Sequence, residues 1–227
     1  MSKYVDALMN DVKAKNPNAI GWSEAEPHAW IDPCPGMLGF NCQLAPWDDP
    51  EMRWAVAWAL DHQKIADAGS GGFGTPSQYN FPAYPGLMAW LDENQDLLDQ
   101  YDSTAYDPRK AKEVFESKGY TMGSSGYYEK GGERLTVDIL LKSAATVLPP
   151  LLVQMLNAVG IDAAPKALAS AQYYDNRNRG DFEIETTHVA CGSVAEPFGE
   201  LDNLHSRWIK PEGEIIRQPL GLVEPGI

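Results

Sequence analysis

Positive charge is the scarcest resource in this sequence. Its 18 Lys and Arg stand against 32 Asp and Glu, giving a net charge of −14 and a pI near 4.6. That balance argues against nucleic acid and anionic lipid as partners, because both require clustered Lys and Arg. No run approaches the ~18 apolar residues of a membrane span, so no membrane insertion is expected. Met1-Ser2-Lys3-Tyr4 leads into an amphipathic pattern and not into the apolar stretch of a signal peptide. Cysteine is nearly absent. Cys34, Cys42 and Cys191 are too few and too unevenly spaced for a disulfide framework, which leaves open a single Cys34–Cys42 bridge. No CxxC or HxxxH spacing organises His28, Cys34, Cys42 and His62 into a metal site. The glycine-rich Gly69 to Gly74 lacks the Gly-Lys-Ser/Thr ending of a phosphate loop and follows a helix, not a strand. Neither a metal nor another cofactor is expected, and no internal repeat, low-complexity tract or linker interrupts the chain.

What the sequence does have is 227 residues, 44% of them hydrophobic, enough for one sizeable domain with a real core. Its best specified stretch runs from Trp47 to Asp61. Asp49 can cap the free N–H groups of a first helical turn, Pro50 suits the first helical position, and Glu51 sits where the helix dipole favours negative charge. On a helical wheel Met52, Val56, Ala59 and Leu60 share one face, while Trp54, Trp58 and Ile65 lie nearly opposite. The spacing predicts a helix packed on two sides, with both tryptophans mostly buried.

Around this helix the chain alternates between strand and helix patterns. Tyr4, Val5, Leu8, Met9 and Val12 recur at helical spacing up to Asn16-Pro17. Ala19 to Trp22 and Met37 to Asn41 read as short strands separated by a turn-rich segment. Thr75 to Gly86 has no period and reads as irregular but ordered, and Leu87 to Tyr101 reads as a helix. Asp107 and Pro108 repeat the capped start, with Gly119 past the end of that helix. A hairpin follows through Tyr127-Tyr128-Glu129 and the turn Lys130-Gly131-Gly132, then a strand from Leu135 to Leu141. Pro149 and Pro150 open a helix that ends at Gly160, and Ile161 to Ala164 reads as a strand. Alternation of this kind implies a mixed α/β lobe.

Several of these segments are similar to one known family. Phe40-Asn41, Trp47-Asp48-Asp49-Pro50 with Arg53, Ala55, Ala59 and Asp61, and the downstream glycines resemble the "fN…PFDDPxVRxAlayAiDr…GG" signature of extracytoplasmic solute-binding proteins, the oligopeptide/dipeptide-binding family 5. Trp47, Trp54 and Trp58 depart from its usual Phe, Gln and Tyr. Tyr106 to Tyr120, the hairpin and the Leu135 strand resemble the family's "yDPekAkaLLaeaGy" helix and the elements after it. Tyr173-Tyr174, Gly180 to Ile184 and Cys191 to Pro197 extend the likeness, which spans residues 17–208. Arg179-Gly180-Asp181 falls at the family's "GdfDi" position and is read as structural.

The resemblance implies one α/β lobe, residues 1–227, of a longer two-lobed binding protein of periplasmic-binding-protein type II. Apolar residues near its ends, among them Val5, Met9, Leu220 and Leu222, are then expected to be exposed or covered by a neighbour. The resemblance further implies an ABC importer, with a small oligomeric ligand, the second lobe and permease subunits as partners. The full-length protein would be periplasmic, or extracellular and membrane-anchored, with no enzymatic activity.

The implied ligand site is the loop from His188 to Pro197. In peptide-binding members the equivalent loop carries an aromatic residue and an aspartate, and here those positions fall on Ala190 and Ser193. A neutral Ser193 cannot give an ammonium group a charge-assisted bond, which favours oligosaccharides over oligopeptides. The candidate ligand-binding residues are His188, Cys191, Ser193, Glu196, Asn41 and Tyr173. Two other readings stay open: an enzyme using His188 and Cys191 as base and nucleophile, and a scaffold lobe with no ligand. Trp54 and Trp58 could stack on a sugar ring, but a doubly apolar helix places them in the core.

Overall fold

The computed structural model describes residues 3–20, 34–70, 72, 74–82, 84–143, 148–188, 196–202, 205–208, 210–211 and 214. Its centre is a four-stranded mixed sheet in the order β1-β7-β5-β6. β1 (Gly36–Phe40) runs antiparallel to β7 (Ile184–His188), while β5 (Thr136–Lys142) runs parallel to β7 and to β6 (Asp162–Leu168). A small antiparallel meander of β2 (Thr121–Met122), β3 (Tyr128–Lys130) and β4 (Glu133–Arg134) precedes β5.

Side-chain alternation along β5 divides the interior in two. Val137, Ile139 and Leu141 face the main core with Ile184 of β7, against α2 (Pro50–Ala59), α6 (Pro108–Ser117) and α7 (Leu148–Ala158). Leu140 faces the other way and packs with Tyr173 and Phe182 under α8 (Ser170–Arg179). The crossovers β5–α7–β6 and β6–α8–β7 travel across the sheet in opposite directions. Their helices therefore fall on opposite faces, as right-handed connections require.

The two capped helix starts form as their sequences dictate. The Asp49 carboxylate accepts from Glu51 N at 2.9 Å and the Asp107 carboxylate from Lys110 N at 3.0 Å, each with Pro in the first turn. Arg53 Nη1 donates to the carbonyl of Trp47 at 2.6 Å, pinning the loop that enters α2. The helix is shorter than its pattern suggests. It stops at Leu60, whose backbone is extended, and α3 (His62–Ser70) starts afresh, with Asp61 accepting from Lys64 N. Trp54 and Trp58 are half-buried. Lys110 Nζ lies 3.7 Å from the Trp58 ring centroid, and Trp58, Trp54 and Tyr101 stack in sequence at 5.7 and 6.3 Å.

Further differences from the sequence pattern are local. Asn94 divides the expected Leu87–Tyr101 helix into α4 (Pro85–Glu93) and α5 (Gln95–Gln100). β6 continues to Leu168 because its whole length pairs with β5. β7 begins at Ile184, since Gly180, at φ +72°, caps α8 and the chain must still turn back to the sheet. Ala19 and Ile20 form no strand, and residues 21–22 lie outside the described residues. In α1 (Lys3–Lys15), Met9 is half-buried while Leu8 and Val12 are exposed; the side chain of Val5, Leu220 and Leu222 lie outside the described residues. Cys42 is not bridged to Cys34. Its thiol donates to the carbonyl of Phe40 at 3.6 Å, while Cys34 is disulfide-bonded.

Candidate ligand-binding edge

Because β5, β6 and β7 are parallel, their carboxyl ends, at Lys142, Leu168 and His188, leave the sheet on one side. At that edge the chain leaves β5 toward the α7 face and leaves its neighbour β6 toward the α8 face, and such diverging connections from the carboxyl ends of adjacent parallel strands leave a crevice suited to a ligand. β1 adds its amino end to the same edge, since Gly36 pairs with His188. His188 is exposed, and its ring stands over Gly36, where an added Cβ would meet Cε1 at 3.7 Å. Lys142 completes the described edge on the α8 side, donating to the Tyr174 hydroxyl at 2.6 Å.

Beneath this edge lies a buried polar network. Glu185 and Arg177 are 1% and 4% exposed. Arg177 Nε donates to Glu185 Oε1 at 2.9 Å. The Tyr173 hydroxyl lies 2.8 Å from Glu185 Oε2 and 2.9 Å from the carbonyl of Thr186. Burial pushes the Glu185 carboxyl above its ordinary range, against the opposing pull of Arg177. Burial likewise raises Tyr173, with the Glu185 charge adding to the effect. Arg177 Nη2 is buried with no hydrogen-bond partner among the described residues.

The six sequence candidates do not converge on one spot. His188 stands at the edge, and Cys191 and Ser193 lie outside the described residues. Glu196 is exposed, and its carboxylate accepts from Phe198 N at 2.7 Å at the start of α9 (Phe198–Leu201). Asn41 is 6% exposed, and its amide donates to the carbonyl of Gly180 at 2.8 Å, tying β1 to the α8–β7 connection. Tyr173 is 1% exposed within the network described above. Asn41 and Tyr173 thus direct their polar atoms into the protein, and Asn41, bonded through its N–H to the carbonyl of Glu183, lies at the opposite, amino edge of the sheet. Lys142 and Tyr174 were not singled out by sequence reasoning, although the placement of Lys142 at the end of a strand and of Tyr174 beside Tyr173 was legible.

A cleft of about 530 Å³ opens at the opposite, amino edge of the sheet, between Lys118, Tyr120, Lys130, Arg134, Thr136 and Glu183. Its charges are largely used internally. Lys118 pairs with Asp49 and Glu51, Arg134 pairs with Asp162, and Glu183 accepts from Asp138 N. Among the described residues no group of three or more His, Cys, Asp or Glu is arranged to hold a metal ion, and no helix is long and apolar enough to cross a membrane.

The parallel strands of this mixed α/β lobe thus end together at one edge, with polar side chains along it. The chain belongs to the bacterial extracellular solute-binding proteins, family 5 Middle, whose family model matches residues 14–206. It is 34% identical over 86 residues to heme-binding protein A of Haemophilus influenzae, covering 38% of this chain and 14% of that protein. It is 31% identical over 90 residues to the dipeptide-binding protein of Escherichia coli, covering 40% of this chain and 15% of that one. Its mixed α/β fold matches the mannohexaose-bound periplasmic oligopeptide-binding protein of Thermotoga maritima, with a TM-score of 0.70 at 22% identity over 88% of this chain and 37% of the other. The peptide-complexed periplasmic binding protein DppA of Helicobacter pylori matches with a TM-score of 0.59 at 20% identity, over 74% and 29% of the two chains. The chain therefore spans less than half the length of the relatives it matches.

Proposed function

We propose that this chain is the ligand-binding lobe of an extracytoplasmic solute-binding protein serving an ABC importer. The observation that carries the reading is the shared carboxyl edge of the parallel strands β5, β6 and β7, with His188 at its rim and the segment containing Ser193 following directly in sequence. A second lobe of the same protein supplies the facing wall. Ligand that touches both lobes favours the closed arrangement, and permease subunits receive the closed form. The disulfide at Cys34 suits an oxidising, extracytoplasmic location.

The ligand is an oligomer rich in hydrogen-bonding groups, an oligosaccharide ahead of an oligopeptide. A peptide ammonium brought to Ser193 would lose water and meet a neutral hydroxyl, whereas a sugar hydroxyl can both donate to and accept from it. His188 and Glu196 offer further polar partners, and Cys191 belongs to the same loop in sequence. The mannohexaose named with the Thermotoga maritima structure supports a sugar as a ligand of this fold. Calorimetry on the full-length protein with panels of neutral oligosaccharides and oligopeptides tests the choice. Sugar binding weakened by Ser193→Ala is expected; tight binding of a peptide with a free amino terminus, undiminished in Ser193→Ala, would overturn it.

A further inference from the structure

The outer face of α4 and α5 carries an apolar stripe that the described residues leave uncovered. The two helices bury Leu87 and Leu91 against Phe81. The chain keeps turning between them, since Asn94 N donates to the carbonyl of Leu91 and the Asn94 carbonyl accepts from Leu98 N. Trp90, Leu97 and Tyr101 therefore share one side, at 47%, 47% and 53% exposure. Tyr101 stacks on Trp54 at 6.3 Å, Trp54 stacks on Trp58 at 5.7 Å, and Trp58 packs against the main core. Backed by packed rings, the stripe is preorganised, so little side-chain entropy is lost when a partner covers it.

Charge of one sign lies beside it. Between Lys64 and Arg109 the sequence has no Lys, Arg or His and seven Asp and Glu, half of the net charge of −14. Asp92, Glu93, Asp96 and Asp99 are exposed and flank the stripe on the side away from Leu87 and Leu91. The ion pairs of this region lie elsewhere, at Asp61 with Lys64 and at Asp107 and Glu113 with Arg109. Exposed Trp, Leu and Tyr beside uncompensated carboxylates have the composition of an interface centre with an acidic rim. Such a rim attracts a cationic surface and repels an acidic one. A second copy of this chain, nucleic acid and anionic lipid all bring negative charge, which leaves a basic protein segment as the occupant.

We propose that this α4–α5 face docks a Lys- and Arg-bearing extracytoplasmic segment of the permease. Trp90 and Leu97 supply the apolar contact, and Glu93 and Asp96 pair with the incoming cations. The inference rests on the importer reading and adds to it the surface that the permease touches. None of these residues lies on the carboxyl edge of the sheet, so docking is separable from ligand binding.

The test is biolayer interferometry of the full-length protein on its permease subunits in phosphatidylcholine nanodiscs, in about 50 and about 300 mM salt, with empty nanodiscs alongside. Trp90→Ala is expected to weaken binding about tenfold in both salts, the scale of one interface anchor, and Trp90→Phe to keep most of it. Glu93→Lys combined with Asp96→Lys should weaken binding about tenfold in the lower salt and much less in the higher. Wild-type binding that every variant retains overturns the docking face and leaves the importer reading standing. Equal binding to empty nanodiscs overturns it in favour of a membrane surface, and a wild-type dimer that Trp90→Ala dissociates in the ultracentrifuge overturns it in favour of a second copy. A markedly lowered melting temperature of the full-length Trp90→Ala variant overturns it in favour of cover by the second lobe. Failure of the wild type to bind the permease overturns both readings.

Discussion

Gly39 lies directly opposite Glu185 in the β1–β7 ladder, and a Cβ on Gly39 would stand 3.1 Å from Glu185 Cγ and 3.2 Å from its Oε1. The glycine thus leaves the space in which the buried carboxylate reaches Arg177. Overpacking of a filled interior costs about 1–3 kcal/mol. Gly39→Val should destabilise the fold by that amount and Gly39→Ala by less, as read by urea unfolding. Equal stability of Gly39→Val and wild type would show that the Glu185 side chain has room to move.

The Arg177–Glu185 pair gives a second prediction. Removing one member leaves a buried charge without compensation, which costs about 3–5 kcal/mol. Arg177→Met should therefore unfold at markedly lower urea concentration near neutral pH. Glu185 is raised above its ordinary value of 4.5 in the folded state, so the native state binds the proton more tightly than the unfolded chain does. Its contribution to stability is then fully present below about pH 4.5 and is lost as pH rises through the higher folded value. Arg177→Met should steepen that loss and Glu185→Gln should abolish it. Stability curves measured from pH 4 upward that are parallel for all three proteins would contradict the assignment.

Asp49 behaves in the opposite sense. The hydrogen bond from Lys118 holds its carboxyl below the ordinary 3.8, helped by the cap bond from Glu51 N. A lowered folded pKa contributes stability above about pH 3.8 that disappears as pH falls through the folded value. Asp49→Ala should cost about 1 kcal/mol at neutral pH. Asp49→Asn should keep most of the cap, lose the Lys118 pair, and no longer contribute to acid destabilisation. Thermal melts of the two variants at neutral and acid pH check both statements.

Trp58 joins the aromatic column to the main core, while Trp54 packs between Trp58 and Tyr101. Trp58→Ala should cost more than Trp54→Ala, with about 2 kcal/mol for a half-buried indole. Lys110→Met should change stability by less than about 1 kcal/mol, the value of an exposed cation over a ring. Denaturant titrations followed by circular dichroism rank the three.

Elements with local punctuation were legible in the sequence. Asp49-Pro50 and Asp107-Pro108 open their helices as their types require, and Gly131 and Gly132, at φ +64° and +86°, make the turn that their hairpin demands. What escaped was set by distant partners. Nothing in Leu60-Asp61 or Asn94 is a breaker of the strength of proline, yet the chain turns at both. Glu185 sits in a strand where period-two alternation would send a carboxylate to solvent, and only α8 laid over that face buries it. Asn41 and Tyr173 have side chains suited to a ligand. Their commitment to Gly180 and Glu185 depends on contacts 139 and 12 residues away.

Ligand is expected to meet the carboxyl edge of β5 and β7 and not the cleft at the amino edge. Hydrogen exchange of the full-length protein, with and without the oligomer that calorimetry identifies, tests it directly. Ligand should slow exchange at the ends of β5 and β7, around Lys142 and His188, and leave Tyr120, Lys130 and Thr136 unchanged. Protection centred on those three residues, with Lys142 and His188 unaffected, would contradict it.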